Sequence, residues 1–164
     1  MKSLISAVVL LFLVSCQVAT KNSKNNELFA YRDSHSGKTG YKNIKNEVIV
    51  KPRFSSGTTF SNNGYYIVTR GKVLSPYEKF AIIDGNGNFV INFSKGYQLI
   101  SFCKNKELLK VIKADKYGYI NFKNEVIIPI KFEQLSDVIN GKIAAKENES
   151  SEEIYFDVKG KRIK

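Results

Sequence analysis

Short runs of apolar residues separated by polar turns fill most of the chain. Residues 41–50 read YKNIKNEVIV and residues 119–128 read YINFKNEVII, so seven of ten positions are identical across a spacing of 78 residues. The runs are rich in Ile, Val, Phe and Tyr, which favour strands. No long stretch has an apolar period of 3.6 residues, so we expect few helices. The pattern predicts an all-β fold built from repeats.

If the repeat period is about half of 78 residues, further copies should occur near residues 80 and 158. They are found at 80–91 (FAIIDGNGNFVI) and 155–163 (YFDVKGKRI), so the chain contains four copies of one hairpin motif. Each copy has an Asn or Asp and, three positions later, an Asn or Gly. These pairs are Asn43 and Asn46, Asp84 and Gly87, Asn121 and Asn124, and Asp157 and Gly160. Asn and Gly adopt positive φ most readily, as two-residue hairpin turns require. The preceding Asn or Asp can bond to the turn backbone.

A third apolar run follows each of the first three hairpins, at 65–68, 108–112 and 142–145. The predicted unit is therefore a three-stranded antiparallel repeat of about 36–41 residues. The units lie near 39–79, 80–116, 117–152 and 153–164, and the last one is truncated. A lone hairpin is marginal in water, whereas stacked units shield one another's apolar faces. The sequence leaves open whether the array is open or closes into a propeller-like ring.

The same residues resemble the WG-repeat (or KWG-repeat) family. Its units read roughly aromatic-Gly-x-Ile-Asp/Asn, a turn, Gly, a strand, and then Pro and an aromatic residue. Residues 117–121 (YGYIN) with 129–132 (PIKF), and 39–43 (TGYKN) with 52–54 (PRF), come nearest to this pattern. The chain has no Trp, so the signature dipeptide survives only as Tyr-Gly and weaker forms. The resemblance covers about residues 39–163 and implies repeats that mediate protein interactions rather than catalysis.

The N-terminus combines one Lys with a short apolar run and a cysteine, in the order MKSLISAVVLLFLVSC. The run is too short to span a bilayer, which needs about twenty residues, and it fits a secretory signal sequence. Its end, Leu13-Val14-Ser15-Cys16, resembles the lipobox of bacterial lipoproteins. This resemblance implies cleavage before Cys16, a covalent lipid on its thiol, and a membrane anchor in a bacterial cell envelope. If the cell is diderm, we expect the outer membrane.

The chain therefore divides into three predicted parts. Residues 1–15 are a cleaved, helical signal peptide, residues 16–30 are the lipidated Cys and a flexible polar tether, and residues 31–164 are the β-repeat domain. Cys103 is the remaining thiol, so no intramolecular disulfide is expected. It follows the apolar run Ile100-Ser101-Phe102, which predicts a buried structural side chain.

The formal net charge is +11, from 26 Lys and Arg against 15 Asp and Glu. Only four of the 26 basic residues are Arg, the better donor to phosphates and base edges, so nucleic acid is not expected. Two interpretations of the charge stay open. It either solubilises the surface or serves an anionic partner such as a glycan, a lipid headgroup or a host ligand.

No motif in the sequence indicates catalysis. Asp33, Ser34 and His35 are adjacent, whereas the members of a catalytic triad converge from separate elements. Residues 84–88 alternate oxygen-bearing side chains like a calcium loop but lack its later Gly and Glu. One His and one remaining thiol give too few ligands for a transition metal. We therefore expect a non-enzymatic protein with no metal and no cofactor beyond the lipid on Cys16.

Aromatic side chains are the candidates for a binding surface, because Tyr offers contact area at low entropy cost. The selected residues are Tyr65, Tyr66, Tyr77 and Tyr97. The same side chains could instead fill the core, and the sequence leaves both roles open. The predicted function is binding or scaffolding of another envelope or extracellular protein or polymer, with electrostatic binding of an anionic ligand as the alternative. The oligomeric state stays open.

Overall fold

Antiparallel strands form nearly all the regular structure in the computed structural model, which describes residues 27–164. They make four sheets in chain order, one with three strands and then three with four, and each sheet is a meander of consecutive strands. The strands are β1 (Leu28–Arg32), β2 (Thr39–Asn43), β3 (Val48–Phe54), β4 (Ser56–Gly57), β5 (Tyr66–Arg70), β6 (Lys79–Ile83), β7 (Phe89–Ile91), β8 (Leu99–Phe102), β9 (Leu108–Lys113), β10 (Lys116–Asn121), β11 (Val126–Phe132), β12 (Gln134–Leu135), β13 (Lys142–Lys146), β14 (Ile154–Asp157) and β15 (Arg162–Ile163). The all-β prediction is confirmed.

Helical structure is minor in the described part of the chain. A single 3-10 turn, Phe93–Lys95, follows β7. Its Asn92 side chain accepts a hydrogen bond from the Ser94 N–H, and Gly96 ends it with a φ of 74°. Within residues 27–164, no helix has the length and apolar character needed to cross a membrane.

Three hydrophobic clusters hold the sheets together, each between two consecutive sheets. Successive side chains of a strand point to opposite faces. Ile83 therefore packs toward the first sheet and Ile82 toward the third, and Ile120 packs toward the second sheet and Tyr119 toward the fourth. No cluster within residues 27–164 joins the first sheet to the fourth, so these sheets stack in an open row.

The four repeated hairpin turns share one geometry. In the first, the Asn46 N–H donates to the Asn43 carbonyl oxygen at 2.9 Å, and the Asn43 Oδ1 accepts from the N–H groups of Lys45 and Glu47. The equivalent side chains make the same bonds at Asp84, Asn121 and Asp157. Positive φ occurs at Asn46 (63°), Gly87 (82°), Asn124 (63°) and Gly160 (80°). The predicted common turn is confirmed.

The length of these turns differs from the prediction of two residues. Three residues, 44–46, lie between Asn43 and Glu47, which are joined by the Asn43 N–H donating to the Glu47 carbonyl oxygen at 3.0 Å. Only the last of the three has positive φ. This is the pattern of a three-residue hairpin loop that ends in a left-handed residue. The two-residue prediction is wrong because one positive φ, rather than a central pair, reverses the chain.

The predicted third strand is present, and it pairs with the hairpin that follows it. The strand β5 lies beside β6, β9 beside β10, and β13 beside β14. The sheets consequently span 28–54, 56–91, 99–132 and 134–163. The units read from the sequence are offset from these sheets, because each begins at a hairpin and not at the strand before it.

The start of the first sheet shortens the predicted tether of residues 16–30. Leu28 is 2% exposed and belongs to the first hydrophobic cluster, so residues 28–30 are strand and not linker. The predicted signal peptide, the lipobox Leu13–Cys16 and residues 16–26 of the tether lie outside the described residues.

Two tyrosines related by the 78-residue spacing link neighbouring sheets. The Tyr41 hydroxyl donates to the Thr58 carbonyl oxygen at 3.1 Å, and the Tyr119 hydroxyl donates to the Ser136 carbonyl oxygen at 2.9 Å. Both rings are fully buried, and burial raises the pKa of both phenols. The repeat therefore encodes an inter-sheet hydrogen bond together with its core side chain.

Replacing Tyr119 with Phe is expected to lower the free energy of unfolding by about 1–2 kcal/mol, because the Ser136 carbonyl oxygen loses its donor. Urea unfolding of the full chain measures the loss. The control is Tyr155→Phe, which removes the hydroxyl of an exposed ring that bonds to Glu153 and should change stability by less than about 0.5 kcal/mol. Equal losses in the two variants would show that the inter-sheet bond does not contribute.

Candidate binding groove

An open, mostly apolar groove of about 480 Å³ lies between the second and third sheets. Ile67 of β5, Phe80 of β6 and Ile100 of β8 line its floor. One edge is β4, which pairs with β5 over only two residues, Ser56–Gly57. The second sheet is therefore narrow here and leaves the space uncovered. This volume falls within the range of about 300–1,000 Å³ that is typical of ligand sites.

The rim of the groove carries apolar side chains that are exposed to solvent. Phe60 is 64% exposed, Val73 is 47% exposed and Leu74 is 96% exposed. Phe102 of β8 lies across from Phe60, with the two ring centroids 6.5 Å apart. Large contiguous apolar patches on a protein surface mark interaction sites.

The loop between β5 and β6, residues 71–78, forms much of this rim and is fixed by its own hydrogen bonds. The Leu74 N–H donates to Glu78 Oε2 at 2.8 Å, and the Glu78 N–H donates to the Ser75 carbonyl oxygen at 3.0 Å. Leu74 has a φ of 59°, in the left-handed region that a branched side chain disfavours. Strain of this kind concentrates at functional sites.

The equivalent loops of the other three sheets are polar or very short. They read DSHSGK at 33–38, AD at 114–115 and ENESSEE at 147–153, whereas residues 71–78 read GKVLSPYE. The repeat folds without apolar residues at this place. The exposed Val-Leu pair of the second sheet therefore has no structural role that the other sheets share.

Two polar side chains that line the groove are nearly removed from solvent. Thr69 of β5 is 6% exposed and Glu78 is 7% exposed. The Thr69 Oγ1 has no hydrogen-bond partner. Glu78 takes part in none of the three ion pairs between described residues. The groove thus combines an apolar floor with a carboxylate that has no ion-pair partner among the described residues and a hydroxyl that has no hydrogen-bond partner.

Two of the four tyrosines selected from the sequence are core residues. Tyr66 is buried in the first cluster, where its hydroxyl oxygen accepts from the Leu28 N–H at 2.6 Å. Tyr97 is buried in the second cluster, and its hydroxyl donates to Asn124 Oδ1 at 2.9 Å. Burial also raises the pKa of Tyr97. Their prediction as exposed binding residues is wrong, because both rings fill the space between stacked sheets.

The other two tyrosines differ from each other. Tyr65 is half-buried and its ring stacks on that of Phe122, with centroids 4.5 Å apart. Tyr77 is 81% exposed and lies in the rim loop. Sequence reasoning missed Phe60 and Leu74, although the apolar pair Val73-Leu74 in a Gly- and Pro-containing loop was a usable signal. Tyr77 is therefore the exposed one of the four, while Tyr65 joins a row of aromatic rings that reaches the rim through Phe122 and Phe102.

The remaining candidate chemistry is dispersed. His35 is exposed and lies 3.4 Å from the Ser34 hydroxyl. Asp33 instead accepts from the Ser36 N–H and hydroxyl, both at 2.7 Å, and these bonds hold the pKa of Asp33 below its usual value. Burial raises the pKa of the Cys103 thiol. Within residues 27–164, no three His, Cys, Asp or Glu side chains are placed to hold a metal ion.

The comparison with protein families matches residues 40–72 and 117–149 to the WG containing repeat. Each segment begins in the first strand of a repeated hairpin, β2 or β10, and continues into the next sheet. No curated protein and no solved structure matches the chain. The resemblance drawn from YGYIN and TGYKN is confirmed, and the chain thus carries two recognised copies of the WG containing repeat.

Proposed function

We propose that this protein is a non-catalytic binding module of the bacterial cell envelope, and that it holds a partner in the groove between its second and third sheets. The observation that carries the proposal is the exposed rim of Phe60, Val73 and Leu74. The rim loop carries an exposed Val-Leu pair, whereas its counterparts in the other sheets are polar or very short. A surface of this kind is stabilised when a partner covers it.

The groove is suited to binding because its parts are held in place before a partner arrives. Its floor belongs to strands whose neighbouring side chains fill the first and second clusters. The rim loop is closed by the hydrogen bond between Leu74 and Glu78. A preformed site loses little conformational entropy on binding, so more of the contact energy appears as affinity.

The envelope location is the part of the proposal that rests on the N-terminal sequence. Leu13-Val14-Ser15-Cys16 has the order of a lipobox, and the polar residues after it would hold the domain away from the membrane surface. The partner is accordingly another envelope or extracellular protein or polymer. The covalent lipid on Cys16 is the expected membrane attachment.

Binding of an anionic glycan, lipid headgroup or host ligand is the second candidate. It is favoured by the net charge of +11 and by the small number of ion pairs, three, between described residues. Salt separates the two candidates. Charge-driven binding falls steeply with ionic strength, whereas binding in an apolar groove persists.

Cross-linking pull-down of the anchored protein from its native envelope tests the first candidate. The Leu74→Asp variant is expected to capture about tenfold less partner, since a charge on the rim opposes apolar contact. The matched control is Ile44→Asp, at an exposed apolar residue in the turn between β2 and β3, and this variant should capture as much partner as the unchanged protein. Cys16→Ala should release the protein from the membrane fraction. Equal capture by the Leu74→Asp and Ile44→Asp variants would contradict the proposed site.

A further inference from the structure

We infer that the groove binds a segment of a partner protein in which an apolar side chain is followed or preceded closely by a Lys or Arg. The inference rests on the proposed function and names the chemistry of its ligand. The apolar side chain packs on Ile67, Phe80 and Ile100, and the cation faces the Glu78 carboxylate.

The carboxylate is the first argument for a basic ligand. Glu78 is more than nine-tenths buried, and its Oε2 accepts from the Leu74 N–H. A buried charge is costly unless a countercharge or hydrogen bonds compensate it. The chain has 26 Lys and Arg, yet none of its described basic side chains forms an ion pair with this carboxylate. A partner's cation supplies the missing charge and forms a charge-assisted hydrogen bond.

The Thr69 hydroxyl is the second argument. Thr69 lines the groove, and its hydroxyl oxygen is buried and has no hydrogen-bond partner. Buried polar atoms without a partner are rare in folded proteins. The Thr69 Oγ1 accepts a hydrogen bond from the bound segment, from either its cation or a backbone N–H. Two polar groups inside an apolar groove thus call for a ligand that carries donors as well as apolar surface.

The shape of the site favours a polypeptide over a small molecule or an acyl chain. Small ligands are mostly enclosed by their sites. Here Phe60, Leu74 and Tyr77 project from the rim into solvent, so an occupant that covers them extends beyond the groove. Aromatic side chains are enriched at protein interfaces. An acyl chain would fill the floor but offer no donor to Glu78 or Thr69.

A phage-displayed library of 12-residue peptides, selected on the purified full chain and counter-selected on its Leu74→Asp variant, tests the inference. We expect the enriched peptides to combine an aliphatic or aromatic residue with a nearby Lys or Arg. Synthetic peptides with the basic residue or with Gln in its place are then compared by fluorescence anisotropy. Acidic peptides, peptides without a basic residue, or no enrichment above the counter-selected background would overturn the inference.

Two conservative variants give readouts that a merely structural role would not produce. Glu78→Gln keeps an acceptor for the Leu74 N–H but removes the charge. It should lower the affinity for the basic peptide about tenfold and leave the affinity for the Gln peptide unchanged. Glu149→Gln, at an exposed carboxylate in the loop of the fourth sheet, is the matched control. Thr69→Val should lower the affinity for the basic peptide without lowering the Tm of the free protein, because the hydroxyl has no hydrogen-bond partner there. Equal affinity for the two peptides overturns the inference.

Two other occupants are tested in parallel. A second copy of the chain would appear in sedimentation as a dimer that Leu74→Asp dissociates, and a lipid would appear as binding of a fluorescent fatty acid that Glu78→Gln does not weaken. Either result overturns the inference. If Leu74→Asp no longer captures the envelope partner while Glu78→Gln still does, the proposed function is supported and the inference of a basic ligand is overturned.

Discussion

Replacing Ile120 with Ala will lower the free energy of unfolding by about 3 kcal/mol. Ile120 of β10 has no exposed surface and lies in the second cluster, between the second and third sheets. The truncation removes buried methylene and methyl groups and leaves a cavity in a part of the core that two sheets share. Urea unfolding of the full chain, followed by circular dichroism, measures the loss.

Lys42→Ala is the matched control, because Lys42 occupies the same place in the earlier copy of the repeat. It follows Tyr41 in β2 and faces away from the second sheet, and no sheet within residues 27–164 covers that face. Its truncation should change stability by less than about 0.5 kcal/mol. Similar losses in the two variants would contradict the stacking order of the sheets.

The differences between the two near-identical segments follow from their positions in the row. Lys42 corresponds to the buried Ile120, and Ile44, which is 74% exposed, corresponds to Phe122, whose ring stacks on Tyr65. The identical positions could be interpreted from the sequence, because a hairpin turn is determined by local backbone chemistry. The residues at the differing positions could not be interpreted from the sequence, because each depends on which sheet packs against that position.

The choice between Asn and Gly at the turns has the same origin. A Cβ at Gly87 would lie 2.5 Å from Val50 Cγ2 in the preceding sheet, and one at Gly160 would collide with the Ile127 carbonyl oxygen. At the equivalent Asn124 the side chain instead accepts a hydrogen bond from Tyr97. Both residue types satisfy the positive φ that the sequence predicts. Only the neighbouring sheet distinguishes them.

The groove was beyond sequence reasoning for a related reason. Its floor brings together Ile67, Phe80 and Ile100 from three strands of two sheets. Predicting it requires knowing that the third strand pairs with the hairpin after it, and that β4 is too short to cover the sheet. The aromatic residues chosen from the sequence included Tyr66 of β5, because a strand sequence does not show which of its faces meets another sheet, and Tyr97, which lies before β8 and is buried between the second and third sheets.

Gly118→Ala is expected to lower the free energy of unfolding by about 3 kcal/mol. Gly118 lies in β10 where the pairing with β11 is irregular between Tyr117 and Tyr119. A Cβ there would lie 2.8 Å from the Ile130 Cα and 2.9 Å from the Ile128 carbonyl oxygen. These backbone atoms belong to β11, whose only partner strand in this sheet is β10. They cannot move aside without breaking the ladder between the two strands, so the added methyl group separates β10 from β11.

Gly141→Ala separates this close approach from the backbone conformation that only Gly adopts easily. Gly141 has a φ of 76° and open space around its Cα. Ala at this position therefore has only the cost of the left-handed conformation, which lowers the free energy of unfolding by about 1 kcal/mol. Gly118 is not among the residues with positive φ. If conformational freedom were the main reason for Gly in this fold, Gly141→Ala would be the more damaging change. A larger loss at Gly118, measured by urea unfolding of the two variants, would instead identify the Gly of the Tyr-Gly dipeptide as the residue that lets adjacent strands approach.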